Sequence, residues 1–286
     1  RQIILKKALE WGINCWDTAH NYAGGNSELG IGKYLSKNPQ SRKKLFIVSK
    51  ASFAGTVADV ENRLQTSLKR MNTNYIDLYF GVHFMSNPAQ LTDELKQWAR
   101  NAKKRKLISF FGFSTHSNTA QCLAAAAKLD WIDVITTRYS FRTMKDARMQ
   151  DAVEACHKTG IGLIAIKTLG LGQRGPRGGP RAEEEKKLLR HFVKRGFTEG
   201  QAKIKFVLED KRFSSACVGM ENINLLYSNI AAVQDETKLT QADIEAFKEY
   251  ATATCSGYCA GCAYICDSAL RKSARGRLTA ESIGLP

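Results

Sequence analysis

Asp17, Lys50, His83 and His116 each lie 33 residues beyond the last, and Tyr22 follows the first of them closely. A carboxylate, an ammonium group, an imidazole and a phenol are the side chains that proteins use to hold and move a proton. Taken singly, each has a structural explanation: Asp17 as a cap, Tyr22 as a loop aromatic, Lys50 as a rim charge, His83 as a satisfied core histidine. Their shared placement is harder to explain that way, because Asp17, Lys50 and His83 each close a different short apolar run.

Those runs are 13–19, 45–51 and 75–82, and four more follow at 109–115, 133–140, 162–168 and 215–220. Their length and β-branched or aromatic content predict strands. Between them, 27–35, 57–70, 89–104, 119–129 and 145–159 carry helical spacing, several opened by Ser, Asn or Asp. Strand and helix in alternation predict a parallel sheet. The interval of 33 is the length of one βα unit. A solenoid of that period would repeat its side chains, and no such self-similarity is visible. The first strand-to-helix turn lacks a G-x-G-x-x-G fingerprint, which argues against a doubly wound sheet.

The predicted fold is therefore α/β, a (β/α)8 TIM-type barrel, which gathers the C-terminal ends of its strands at one mouth. Seven strands are countable where such a barrel uses eight, and the chain opens at Arg1 in a helical pattern. The expectation is that the first strand lies upstream and is missing from this chain. Residues 1–240 are assigned to the barrel and 241–286 to a small C-terminal helical, Cys-rich appendage.

The net charge of +16 suits either a solvated basic surface or attraction to an anionic ligand, for which a phosphate-bearing cofactor suffices. Specific nucleic-acid binding is not expected, because Lys and Arg are spread along the chain without a recognisable module. No run of about 18 apolar residues exists to span a membrane. A cytoplasmic location is expected, although the chain starts without Met and any targeting signal could have been cut away. Residues 170–181, rich in Gly, Pro and Arg, predict a long basic loop on the mouth side, which reads equally as a ligand cover or a solvated linker.

Of eight cysteines, Cys15, Cys122, Cys156 and Cys217 are scattered in apolar segments and read as buried thiols. Cys255, Cys259, Cys262 and Cys266 crowd into one segment. Four such thiolates could hold one compact centre; a [4Fe-4S] cluster is the first candidate, zinc the second. The cluster could exchange electrons with a redox partner or simply staple the tail.

The segments Gly12-Ile13-Asn14-Cys15-Trp16-Asp17-Thr18-Ala19-His20-Asn21-Tyr22, Gly25-Asn26-Ser27-Glu28, Ile47-Val48-Ser49-Lys50 and Tyr75-Ile76-Asp77-Leu78-Tyr79 resemble the aldo-keto reductase family. The resemblance covers most of the chain and implies an NAD(P)H-dependent oxidoreductase that reduces aldehydes or ketones to alcohols. By motif, the family's catalytic Asp, Tyr, Lys and His fall on Asp17, Tyr22, Lys50 and His83. It implies Tyr22 as general acid, Lys50 lowering the phenol's pKa, Asp17 holding Lys50, and His83 positioning the carbonyl oxygen. NADP(H) is the implied cofactor, with NAD(H) the alternative.

The resemblance places Ser114 and Thr115 on the nicotinamide carboxamide, with Thr115 standing where Asn is usual. It makes Tyr139 the ring on which nicotinamide stacks, with Thr136 replacing the usual Gln before it. It puts Lys167, Gly219, Met220, Asn222 and Asn229 along the rest of the cofactor. The family's His comes five residues after the Asp of Asp-Leu-Tyr, whereas His83 comes six after Asp77, so a β-bulge near Phe80 and Gly81 is needed to keep it on the inner face. A subset of the family carries a ferredoxin-like Cys motif similar to the C-terminal segment, here with Asp267 in place of Pro. A nucleotide-binding redox-sensing or regulatory protein with little turnover is the alternative.

Overall fold

In the computed structural model, residues 1–52, 54–169 and 180–253 are described. Seven strands form one sheet in the order β1 to β7, every neighbouring pair parallel. They are β1 Cys15–Asp17, β2 Phe46–Lys50, β3 Ile76–Met85, β4 Ile108–Thr115, β5 Val134–Arg138, β6 Gly162–Ile166 and β7 Ser215–Ala216. All seven sequence-predicted runs are present. The last one keeps only two residues, and Cys217 continues it with an N–H donated to the Ala165 carbonyl.

The helices are α1 Gln2–Glu10, α2 Asn26–Lys37, α3 Val57–Met71, α4 Asp93–Lys104, α5 Thr119–Ala126, α6 Ala147–Lys158, α7 Pro180–Lys194, α8 Glu199–Glu209, α9 Ile223–Gln234 and α10 Gln241–Ala253. Their starts follow local chemistry. Thr56 and Asp59 cap α3 reciprocally, while Thr92 and Asp146 accept N–H groups at the starts of α4 and α6. The helix expected over 89–104 begins at Asp93, after a separate 3-10 turn at Pro88–Gln90.

Strand alternation sorts the core into two layers. Val48, Leu78, Phe80 and Ile164 pack together inside the curve of the sheet, with Cys15, Phe46, Val134 and Cys217 beside them. Ile47, Tyr79, Phe111, Phe113, Ile135 and Leu163 belong to the larger core shared with the helices. A satellite core joins Phe141, Phe192 and Phe247, and there α10 packs against α7.

Among the described residues β1 does not pair with β7. A cavity of about 710 Å³ lies along that seam, lined by Cys15 and Asp17 on one side and Ser215 and Cys217 on the other. No eighth strand is found among the described residues. Nor is any helix there long and apolar enough to cross a membrane.

Candidate active site

Asp17 and Lys50 stand at the ends of the adjacent strands β1 and β2, and Lys50 is in register with Phe80 of β3. Lys50 is buried at 2% exposure, and its Nζ donates to Asp17 Oδ1 at 2.6 Å and to the Thr18 carbonyl at 2.7 Å. Burial works to neutralise this ammonium, but the Asp17 carboxylate outweighs it, so the Lys50 pKa is raised and the cation persists.

Tyr22 opens a short 3-10 turn, Tyr22–Gly25, in which Ala23 and Gly24 are left-handed. The turn is held from behind. Arg70 donates to the His20 carbonyl at 2.8 Å and to the fully buried Glu28 at 3.1 Å, and Ser49 Oγ donates to Glu28 at 2.7 Å. Gly25 has φ +93°, and a Cβ there would meet the Arg70 guanidinium at 2.8 Å. Only glycine fits that approach without displacing the arginine.

The Tyr22 ring thereby reaches 5.1 Å from Lys50 Nζ and 5.9 Å, edge to face, from the His83 ring. Its phenol pKa is raised above the ordinary value of 10.0, because burial outweighs the lowering by Lys50. This corrects the expectation of a lowered value: the lysine's charge acts, but desolvation is larger.

His83 arrives through the required irregularity. Phe80 pairs with Gly112 and Val82 with Phe113, so two residues of β3 oppose one of β4, centred on Gly81. The bulge turns Val82 outward, where it packs against the outer core, and frees His83 for the inner side. A Cβ on Gly81 would lie 2.7 Å from the Phe111 ring. His83 Nδ1 is 2.8 Å from Ser52 Oγ, and its Nε2 is buried without a partner. Burial, then Lys50 and His116, lower its pKa to about 3, which leaves the imidazole neutral.

The cofactor-side residues are arranged less tightly. Ser114 and Thr136 are register partners with the inner-face parity of Gly112 and Val134. Thr136 Oγ1 and His116 Nδ1 are buried without partners, as is Thr137 Oγ1. Thr137 belongs to the outer layer with Ile135, whereas the unpartnered Thr136 and His116 atoms at these strand ends would suit a polar ligand such as a nicotinamide carboxamide.

Thr115 has the opposite parity, and its hydroxyl donates to the Ser117 carbonyl. Tyr139 is buried with its ring stacked on Phe213 at 4.1 Å and its hydroxyl donating to Asp210 at 2.6 Å, away from the Tyr22–His83 group. Lys167 is exposed with φ +57°. Asn222 caps α9 by accepting from the Leu225 N–H, and the Asn229 amide donates to the Gly219 carbonyl. Met220 and Asn229 line the seam cavity, which touches Asp17 but not Tyr22, Lys50 or His83.

Ser52 was not anticipated as part of the site. Its position two residues after Lys50, with the same parity, was the available signal. Cys255, Cys259, Cys262 and Cys266 lie outside the described residues. Among the described residues no cluster of His, Cys, Asp and Glu could hold a metal.

Residues 1–252 match the model of the aldo/keto reductase family. The chain belongs to that family. Similar proteins include the aldo-keto reductase AFTS1 of Alternaria alternata, 24% identical over 204 residues, covering 59% of this chain and 55% of that protein. L-galactose dehydrogenase of Arabidopsis thaliana is 24% identical over 267 residues, covering 86% and 83% respectively. The chain thus spans little more than half the length of the first of these curated relatives. Among solved structures, a thermostable aldo-keto reductase in complex with the inhibitor epalrestat superposes with a TM-score of 0.70 at 25% identity, covering 87% of this chain and 86% of that one. The family fold is the (β/α)8 barrel, of which this reductase-family chain shows seven parallel strands.

Proposed function

We propose that this chain reduces aldehydes or ketones to alcohols, with NADP(H) as cofactor and NAD(H) as the alternative dinucleotide. The observation that carries the reading is a buried Lys50, clamped by Asp17 at 2.6 Å, that faces the Tyr22 ring while His83 closes the other side. A reduced nicotinamide, when bound, supplies hydride to the carbonyl carbon.

The protein's own residues manage the proton. Tyr22, a phenol that is protonated at neutral pH, gives its hydrogen to the oxygen as negative charge develops there. Lys50 favours the phenolate left behind, and Asp17 fixes Lys50 in place. Ser52 Oγ lies 2.8 Å from His83 Nδ1; in the tautomer in which the Ser52 hydroxyl donates to Nδ1, the hydrogen sits on Nε2 and would donate to the same oxygen. Ser114, Thr136 and His116 would hold the carboxamide. Met220 and Asn222 at the start of α9, with Asn229 further along it, would meet the phosphate and adenine ends, where a helix N-terminus favours anions. Gly219 and Lys167 complete that side. Thr115 and Tyr139 would reach the cofactor only if their side chains turned inward.

The C-terminal cysteines support a second element: a [4Fe-4S] cluster, or zinc, held by Cys255, Cys259, Cys262 and Cys266 and serving a redox partner. A regulatory protein with this cluster and little turnover is the competing reading. The two separate on one assay. Anaerobically purified protein should oxidise NADPH or NADH when given a panel of aldehydes and ketones. Cofactor binding without turnover on any of them would favour the regulatory reading.

A further inference from the structure

Phe84, which follows His83, is held against its own preferences. Its φ of +67° lies in the left-handed region, where a Cβ crowds the neighbouring carbonyl. Its side chain is nonetheless 44% exposed, so neither backbone preference nor burial accounts for its position. Strain of this kind persists where the surroundings impose it, and it clusters at active sites.

Here the surroundings are specific. A second register shift of β3 against β4 falls between Val82 and Met85, and the Phe84 N–H donates to Ser114 Oγ at 3.2 Å. The result is a phenyl ring stacked on the His83 imidazole, 3.7 Å between centroids and 21° from parallel. The same ring also meets the His116 ring, 4.6 Å between centroids and tilted by 59°. With Tyr22 edge-on at 5.9 Å and Ser52 on Nδ1, His83 is enclosed on three sides, and Nε2 is its one unpartnered atom.

We propose that Phe84 is a positioning residue, whose ring, carried over His83 by the left-handed backbone, fixes the imidazole plane and keeps water off it so that Nε2 meets the carbonyl oxygen. The proposal rests on the reductase reading of Asp17, Tyr22, Lys50 and His83. It gives the strain a purpose: a relaxed backbone at this position would carry the ring elsewhere.

The groups facing His83 are Lys50 from β2, Tyr22 from the turn after β1, Ser52 after β2 and His116 at the end of β4, with Asp17 engaged by Lys50. Burial is the largest cause of its lowered pKa, and the positive Lys50 comes next. Removing the ring would admit water and weaken the first cause while leaving the second. The imidazole pKa should therefore rise toward, but not reach, the ordinary value.

The test combines a histidine-selective NMR titration with steady-state kinetics on Phe84→Gly and Phe84→Tyr. Glycine relieves the backbone strain, so Phe84→Gly should fold with a thermal midpoint at or above the parent's. It should also raise the His83 titration by about one pH unit. Its kcat should fall by roughly tenfold, as misplacement of a reacting group would cause, with KM for the dinucleotide unchanged. Phe84→Tyr should restore both readouts. A Phe84→Gly protein with the parent's kcat, or with an unmoved His83 titration, overturns the proposal while leaving the reductase reading intact. A parent that reduces no carbonyl overturns the reductase reading, and this one with it.

Discussion

The ends of β1–β3 and the ends of β5–β7 share one rim but are built differently. On the first side, Lys50 meets Asp17 at 2.6 Å and Ser52 meets His83 at 2.8 Å, all backed by a buried Glu28–Arg70 pair that holds the Tyr22 turn. On the second side, Tyr139 stacks on Phe213, Lys167 is exposed, and β7 is two residues long beside an open seam. The difference follows from strand parity. Asp17, Lys50, Ser114 and Thr136 share the inner face, whereas Thr115 and Tyr139 fall on the outer one. On the proposed reading, the sheet places Asp17, Lys50 and His83 and a braced turn places Tyr22, whereas strand-end hydroxyls, loops and a helix start would hold the cofactor.

That contrast can be broken most forcefully at Lys50. Lys50→Met leaves the partly buried Asp17 carboxylate without its partner and should cost about 3 kcal/mol of stability, together with nearly all turnover. Urea denaturation and kinetics measure both. A stable, active Lys50→Met would mean that the β1–β3 side is not a coupled unit.

Gly81→Ala tests the bulge. The added Cβ, 2.7 Å from the Phe111 ring, should cost about 1–3 kcal/mol and reduce kcat by shifting His83. Unchanged stability and kcat would show that the strand tolerates a side chain there.

The mildest effect at the site itself should come from Tyr139→Phe. Losing the hydrogen bond to Asp210 should lower stability by roughly 1–2 kcal/mol while leaving the dinucleotide Kd unchanged. A Kd weakened several-fold by this variant would put Tyr139 back among the cofactor contacts.

Much of the β1–β3 side was legible in the sequence because spacing and parity are properties of strands. The interval between Asp17, Lys50 and His83 marks one βα unit, and the extra residue before His83 announces the bulge beside Gly81. The direction of the Tyr22 pKa was not legible, because burial depends on packing that spacing does not encode. Ser52 carried a signal, its parity with Lys50 two residues earlier, that went unread; Phe84 was missed because its ring is brought over His83 by a left-handed residue at the second register shift of β3, which spacing does not encode. The outward turn of Tyr139 could have been read from Ile135 and Thr137, which share its parity on β5. Its engagement by Asp210, from the end of α8, could not, since that contact spans 71 residues.

The most direct test of the central claim is Tyr22→Phe, with dinucleotide affinity and carbonyl reduction measured side by side. Loss of the phenolic hydroxyl should lower kcat by about 10²–10⁴-fold and leave the dinucleotide Kd within about twofold of the parent. A Tyr22→Phe protein that still reduces carbonyls at the parent's rate would contradict the assignment of Tyr22 as proton donor and the account of the site built around it.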